Sequence, residues 1–227
     1  ALSCNDLTTY ELKNIIKSGD NYFNSLVNSN GKVIVAEEIY NQAVICSNLV
    51  KYDKYINKYF TPSSINTIYF RKVIEFEFKG VKCKGELDKV YIDHKEKTIQ
   101  PIDYTTTGVH ISGFKYEFWK YRYDFQAAFY EEGLKQDVEI VQLIEDGYKM
   151  LPFLYIVVET SGNNLPLIFK VSVNARNVGF SGGKLSSGRY IEGVKQAFER
   201  YLYHTEKKVW DYPMEYYENG GILNLEI

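Results

Sequence analysis

The sequence predicts an α/β (α+β) fold, a mixed central sheet flanked by helices. Three observations carry that expectation. Apolar residues recur at three- and four-residue steps before Tyr59 and again after Phe114. Between Ile68 and Tyr104 the pattern changes to short β-rich runs punctuated by turn residues. Two more apolar, β-branched runs follow, so helices and strands are interleaved along the chain. At 227 residues the chain is long enough to bury a substantial core. One domain over 1–227 is expected, with a helical part at 1–60 and a core at 66–210.

The elements follow in order. Leu7, Leu12, Ile15 and Ile16 mark a first helix that Ser18-Gly19-Asp20 should end. Ile39, Ala43, Cys46 and Val50 mark a long helix from Ala36 to Tyr59, broken by Thr61-Pro62-Ser63-Ser64. Ile68 to Glu77, Val81 to Ile92 and Thr98 to Tyr104 read as three strands, the last two joined by a polar hairpin at His94–Lys97. A single helix is expected from Phe114 to Lys135. Phe153 to Glu159 and Pro166 to Val173 read as strands around a Ser161-Gly162-Asn163-Asn164 turn. Phe180 to Gly188 reads as a Gly/Ser-rich loop, with Gly179-Phe180-Ser181-Gly182-Gly183 a weak phosphate candidate. A last helix from Ile191 to Lys208 precedes an irregular tail over 210–227.

Composition narrows the class. The chain is 45% hydrophobic and 25% charged, ordinary for a soluble globular protein. A net charge of -2 argues against a strongly basic nucleic-acid-coating protein, yet leaves room for a local basic groove. Cys4, Cys46 and Cys83 are far apart and form no disulfide framework, which fits a reducing, cytoplasmic setting (a host cytoplasm if the source is viral). No segment has the apolar length of a membrane helix, and positions 1–6 lack a charged n-region and an apolar h-region, so neither a span nor a signal peptide is expected. The 21 Tyr and 13 Phe suit a core, an interface or a stacking platform.

Two constellations carry chemistry. Gly85-Glu86-Leu87-Asp88 and Pro101-Ile102-Asp103-Tyr104-Thr105 place Asp88 and Asp103 on successive strands. A short hairpin would bring those strands to ~5 Å, and two converging carboxylates would favour Mg2+ or Mn2+. Alone, the pair reads equally well as two solvated strand acids. Downstream, Gln126 and Tyr130 share a helix face, with Arg122 one turn earlier and Trp119 near it. Such a stripe suits a phosphate, and it also suits an ordinary amphipathic helix with a buried Tyr. There is no G-x-S-x-G elbow, P-loop or dinucleotide fingerprint.

Taken together, Gly-Glu-Leu-Asp, Ile-Asp-Tyr-Thr-Thr-Thr and Tyr-Asp-Phe-Gln-Ala-Ala-Phe-Tyr resemble the RecB-like branch of the PD-(D/E)XK nucleases, whose motifs run G-x-x-D, D-x-K-T and Q-x-x-x-Y. The motifs span Gly85 to Tyr130, while the element order is similar from about Ala36 onward. The resemblance is to phage and bacterial exonucleases of recombination more than to restriction enzymes. It implies a restriction-endonuclease-like core and Mg2+- or Mn2+-dependent DNA hydrolysis. It implies a metal site of Asp88 and Asp103 with the Tyr104 carbonyl, and Gln126 and Tyr130 beside the DNA. Arg122, Lys84 and Lys120 are expected to contact DNA, and Tyr side chains to stack the bases of a single-stranded end. Some relatives form rings, so a homo-oligomer is a possible state.

Two departures qualify the resemblance. Thr105 stands where the family has its lysine, which orients the attacking water and stabilises developing charge. Either the cation has moved (to Lys82, Lys84, Lys115, Lys120 or Arg122), or the chain binds DNA without cleaving it, or the change was introduced to trap a complex. Many relatives also place a His or Glu on an early helix. Glu38 is the best substitute here, with Glu37 beside it, although both also suit a helix start. Glu75, Glu77 and Glu86 are further acids that could face the pair. His110 and His204 are expected at the surface.

Overall fold

A computed structural model describes residues 8–28 and 32–224. Cys4, Leu7, the start at 1–6 and the last three positions of the tail lie outside the described residues. The chain divides into two compact units, Ala1–Ile45 and Cys46–Ile227.

The first unit holds helix α1 (Thr9–Asn28) and the beginning of α2 (Glu37–Tyr52). A reciprocal cap starts α1. Thr8 Oγ1 donates to Glu11 Oε2 at 2.6 Å, and the Glu11 amide donates back to Thr8 Oγ1 at 3.3 Å. The helix then runs through Ser18-Gly19-Asp20, the triplet expected to end it. Glycine weakens a helix interior by about 1 kcal/mol relative to alanine but keeps its N–H donor, so it need not stop one.

The second unit is built on a six-stranded mixed sheet. Its strands are β1 (Asn66–Phe78), β2 (Val81–Asp93), β3 (Thr98–Thr107), β4 (Lys149–Met150), β5 (Leu154–Glu159) and β6 (Leu167–Lys170). The spatial order is β1-β2-β3-β5-β6, with β4 paired to β3. β1, β2 and β3 form an antiparallel meander, β5 lies parallel to β3, and β6 returns antiparallel. Lys79 and Gly80, both at positive φ (50° and 78°), make the two-residue turn between β1 and β2. The parallel step from β3 to β5 needs a crossover, which α3 (Phe114–Lys120), α4 (Tyr123–Leu134) and α5 (Val138–Glu145) supply.

Each face of the sheet buries its own core. On one face α4 covers Ile74, Leu87, Val90, Ile99, Phe153 and Tyr155. On the other, Cys46, Val50, Ile56 and Tyr59 pack on Ile102, Leu154 and Ile156. Each such side chain contributes roughly 1.5–3 kcal/mol of transfer free energy. The remaining elements are α6 (Val173–Ser181), the β7–β8 hairpin (Gly183–Lys184 and Tyr190–Ile191), α7 (Val194–Lys207) and α8 (Met214–Glu218). Among the described residues no helix is long and apolar enough to cross a membrane.

Several boundaries differ from expectation for local reasons. α2 stops at Tyr52 instead of Tyr59. Asp53 Oδ1 accepts from the amides of Tyr55 (2.8 Å) and Ile56 (3.1 Å), turning the chain out of the helix and into a 3-10 turn at Asn57–Tyr59. The helix expected over 114–135 is two helices, because Arg122 adopts φ +60° between them. α5, α6, the β7–β8 hairpin and α8 were not expected. Asp137 and Ser172 cap the first two, accepting from the amides of Ile140 and Ala175.

Candidate active site

The site forms where two ladders of β2 fail at once. β2 and β3 pair from Asp93↔Thr98 to Lys89↔Ile102 and then separate. The next residue of each strand past that fork is Asp88 on β2 and Asp103 on β3. On its other side, β2 pairs with β1 from Asp93 to Val81 at every position except Asp88, which would face Arg71. Arg71 sits at φ +52°, a conformation that costs an L-residue about 1 kcal/mol or more. Side-chain alternation breaks at the same place. Leu87 and Val90, three apart, pack in one core, and so do Tyr69 and Ile74, five apart.

The opened ladder brings the two carboxylates together. Asp88 Oδ2 accepts from the Tyr104 amide at 2.9 Å, filling the gap that β2 leaves beside β3. The two carboxyl groups stand close enough that the charge of Asp88 acts on Asp103. Asp103 is buried, and burial pushes its pKa up to about 7, helped by the charge of Asp88. Among the described residues no group of three or more His, Cys, Asp or Glu side chains is placed to hold a metal ion. The donor set is therefore two adjoining carboxylates in a half-buried notch. Two carboxylates suit Mg2+, which keeps several waters and takes further oxygens from phosphate.

One wall of the notch is made by α4. Tyr130 is half-buried, and burial raises its hydroxyl pKa against a bond from Gln126, with Asp103 and Asp88 adding to the rise. Gly85 makes this approach possible. A Cβ there would meet Tyr130 Cε1 at 2.8 Å, so any side chain at position 85 displaces the ring. Tyr155, wholly buried, donates through its hydroxyl to Gln126 Oε1 (3.0 Å) and to the Tyr123 carbonyl (2.8 Å). Thr105 lies on the Asp103 side of β3, where its Oγ1 and the Tyr123 hydroxyl are 3.0 Å apart.

The candidate cations distribute unevenly. Lys84 is exposed and paired with an equally exposed Glu75 at 3.2 Å. Glu77 is also exposed, and its amide is held by Gln136. Lys120 reaches Tyr121 instead of a carboxylate. Arg122 stands at the N-cap of α4 with φ +60°, its carbonyl accepting from the Gln126 amide at 3.2 Å. It holds Asp124 through Nε (3.0 Å) and Nη2 (3.1 Å), and also bonds the Glu192 carbonyl. Glu38 and Glu37 occupy the exposed first turn of α2, in the first unit. His110 caps a short turn through Ser112, and His204 stacks on Trp210.

Two cations that sequence reasoning passed over feel the charge of Asp88. Lys89 is wholly buried on the opposite face, where Nζ donates to the Tyr59 carbonyl at 2.7 Å. Rings of Phe60, Phe70 and Tyr104 surround it at 3.3, 4.4 and 4.9 Å from their centroids. Burial lowers its pKa to about 7, against the pull of Asp88. Arg71 instead faces solvent, with Nε on Glu86 Oε1 at 2.7 Å, and Asp88 reinforces its charge. The only sequence signal for Arg71 is a charged Arg71-Lys72 pair inside an apolar strand.

No protein-family model matches the chain, and no characterised protein matches it. Among solved structures it is similar to the crystal structure of a candidate exonuclease from Eubacterium rectale, with 19% identity and a TM-score of 0.49. The match covers 83% of this chain and 63% of that one, so the chain spans less than two thirds of the length of that protein.

Proposed function

We propose that this chain is a metal-dependent deoxyribonuclease of the PD-(D/E)XK type, acting as an exonuclease. The observation that carries the reading is the Asp88–Asp103 pair at the fork of β2 and β3, walled by Gln126 and Tyr130. A buried carboxylate, Asp103, set against a second carboxylate and ion-paired with no cation is costly, and a divalent ion would relieve that cost. Asp88 and Asp103, with the Tyr104 carbonyl as a further candidate, would hold Mg2+ or Mn2+. Such an ion neutralises a phosphate and lowers the pKa of a water.

The other roles fall to the chain's own side chains. Gln126 and Tyr130 orient the DNA strand at the rim of the notch. Arg71 takes the part of the absent lysine: its guanidinium stands on the strand opposite Asp88 and, among the described residues, pairs with an exposed Glu86 alone. By letting go of Glu86 it can turn to a phosphate, with which it matches bidentately. Thr105, tied to Tyr123, holds α4 against β3 and carries no charge.

A second reading, a DNA-binding module without catalysis, is favoured by one observation. Among the described residues no Lys or Arg forms an ion pair with Asp88 or Asp103. Digestion of end-labelled linear DNA with Mg2+ or Mn2+ separates the two. The nuclease reading expects shortening of the label that Asp103→Ala removes by at least ~10^3-fold and that Arg71→Ala slows by about 10–100-fold. Silence from the natural chain with activity in Thr105→Lys would mean an intact scaffold lacking its cation. Silence from both would leave the binding module.

A further inference from the structure

A cleft of about 1030 Å3 lies in the second unit, between α3, the start of α6 and the β7–β8 hairpin. Lys115, Lys120, Arg122, Lys184 and Arg189 line it together with Trp119, and no Asp or Glu does. In a chain of net charge -2, five cations around one cavity are a strong local concentration. Their charge is largely unspent. Arg122 is committed to Asp124, but among the described residues no carboxylate pairs with Lys115, Lys184 or Arg189.

The hairpin carries two of these cations beside its turn. Lys184 pairs with Tyr190 across the strands. The Leu185 amide donates to the Arg189 carbonyl and the Gly188 amide to the Leu185 carbonyl, each at 2.8 Å, with Gly188 at φ +83° closing the turn. Aromatic groups stand among the charges. Tyr116 on α3 is 74% exposed and Tyr190 on the hairpin 53%. Beside the cleft, and sharing Lys115 and Trp119 with it, an apolar pocket of about 260 Å3 is walled by Phe118, Tyr155 and Phe169. Tyr155 is also the residue whose hydroxyl holds Gln126 and the Tyr123 carbonyl, so this pocket backs onto the wall of the carboxylate notch.

We infer that this cleft seats a single-stranded nucleic acid, with its phosphates on Lys115, Lys184 and Arg189 and its bases against Tyr116, Trp119 and the apolar pocket. Cations spaced along a groove track a phosphate backbone of any kind. The aromatic faces and the apolar pocket select the unpaired form, because a duplex keeps its base faces stacked on each other. Arg122 at the end of the cleft adjoins Tyr123, whose hydroxyl meets Thr105, two residues from Asp103. The inference deepens the nuclease reading, yet its test requires no cleavage.

The test is fluorescence anisotropy of labelled oligonucleotides in EDTA, with oligo-dT, oligo-U and a mixed-sequence duplex of the same length as probes. The unsubstituted chain should bind a single strand at least ~10-fold tighter than the duplex. Oligo-dT or oligo-U binding more tightly would decide whether the sugar is deoxyribose or ribose, and either agrees with the inference. Lys184→Ala with Arg189→Ala should weaken single-strand binding about 10-fold and reduce the slope of log K against log salt by about 1.4, the share of two phosphate contacts. Tyr116→Ala should weaken it without changing that slope. Lys95→Glu, an exposed lysine elsewhere on the unit, should leave binding unchanged. Equal affinity for duplex, or single-strand binding that survives the hairpin double variant, would overturn the inference. Because the readout is binding in EDTA, a chain that binds single strands but cleaves nothing would sink the nuclease reading and leave the cleft, whereas a chain that cleaves but fails these binding tests would sink the cleft alone.

Discussion

Asp103 and Lys89 are two buried charges on opposite faces of one sheet, and they differ in what surrounds them. Each is driven by burial to a pKa of about 7, one upward and one downward. Lys89 is closed in. Three aromatic rings and one carbonyl take up its ammonium, and nothing of it reaches solvent. Asp103 is left with a like charge, Asp88, at an opening in the sheet. A caged charge fixes packing, whereas a pair of like charges at an opening would be relieved by a cation. Proximity to Asp88 in sequence is therefore a poor guide to function: its neighbour Lys89 is caged in the opposite core, while Arg71 on another strand stays at the surface within reach of the Asp88 charge.

The largest effect that would break this comparison comes from Asp103→Asn. Cleavage should fall at least ~10^3-fold, while the metal-free protein should become more stable near pH 8 by about 2 kcal/mol. The sign follows from the raised pKa. Asp103 takes up its proton more readily folded than unfolded, so its contribution is fully present below about pH 4 and is lost as pH rises to about 7. Lys89 gives the mirror image. Its lowered pKa means that stability is lost as pH falls from about 10 to about 7. Chemical denaturation of the metal-free protein across pH should thus show a minimum near neutrality. Asp103→Asn should remove its acidic arm and Lys89→Met its alkaline arm, and Lys89→Met should leave cleavage within about 2-fold.

Smaller effects sharpen the same contrast. Gly85→Ala pushes the Tyr130 ring from β2 and should slow cleavage about 10-fold with intact cation binding, read by single-turnover digestion. On the closed face, the buried Tyr104 hydroxyl has no hydrogen-bond partner. Tyr104→Phe should therefore raise stability by about 1 kcal/mol without altering cleavage, read by urea denaturation.

What the sequence disclosed depends on whether the signal was local. The strands β1, β2 and β3 were legible because β-rich runs declare themselves within a few residues. Asp88, Asp103, Gln126 and Tyr130 were legible as a motif. Their meeting was not fixed by the motif alone, since it depends on where two ladders stop. Arg71 was hidden for that reason: a break in strand alternation leaves no mark on composition. α6 escaped because Asn174, Arg176, Asn177 and Gly179 give it little apolar periodicity, although Ser172 caps it. Arg122 looked like part of one long helix because nothing in its neighbours shows that Asp124 and the Glu192 carbonyl will hold it in a left-handed turn.

Calorimetric titration of Mn2+ into the nucleic-acid-free protein at pH 7 tests the central claim most directly. Binding should release a proton fraction that varies with buffer ionisation enthalpy, because Asp103 is about half protonated there, and both the binding and the release should vanish in Asp103→Asn. Mn2+ binding that is unchanged in Asp103→Asn, or no binding by the natural chain at millimolar Mn2+, would contradict the account.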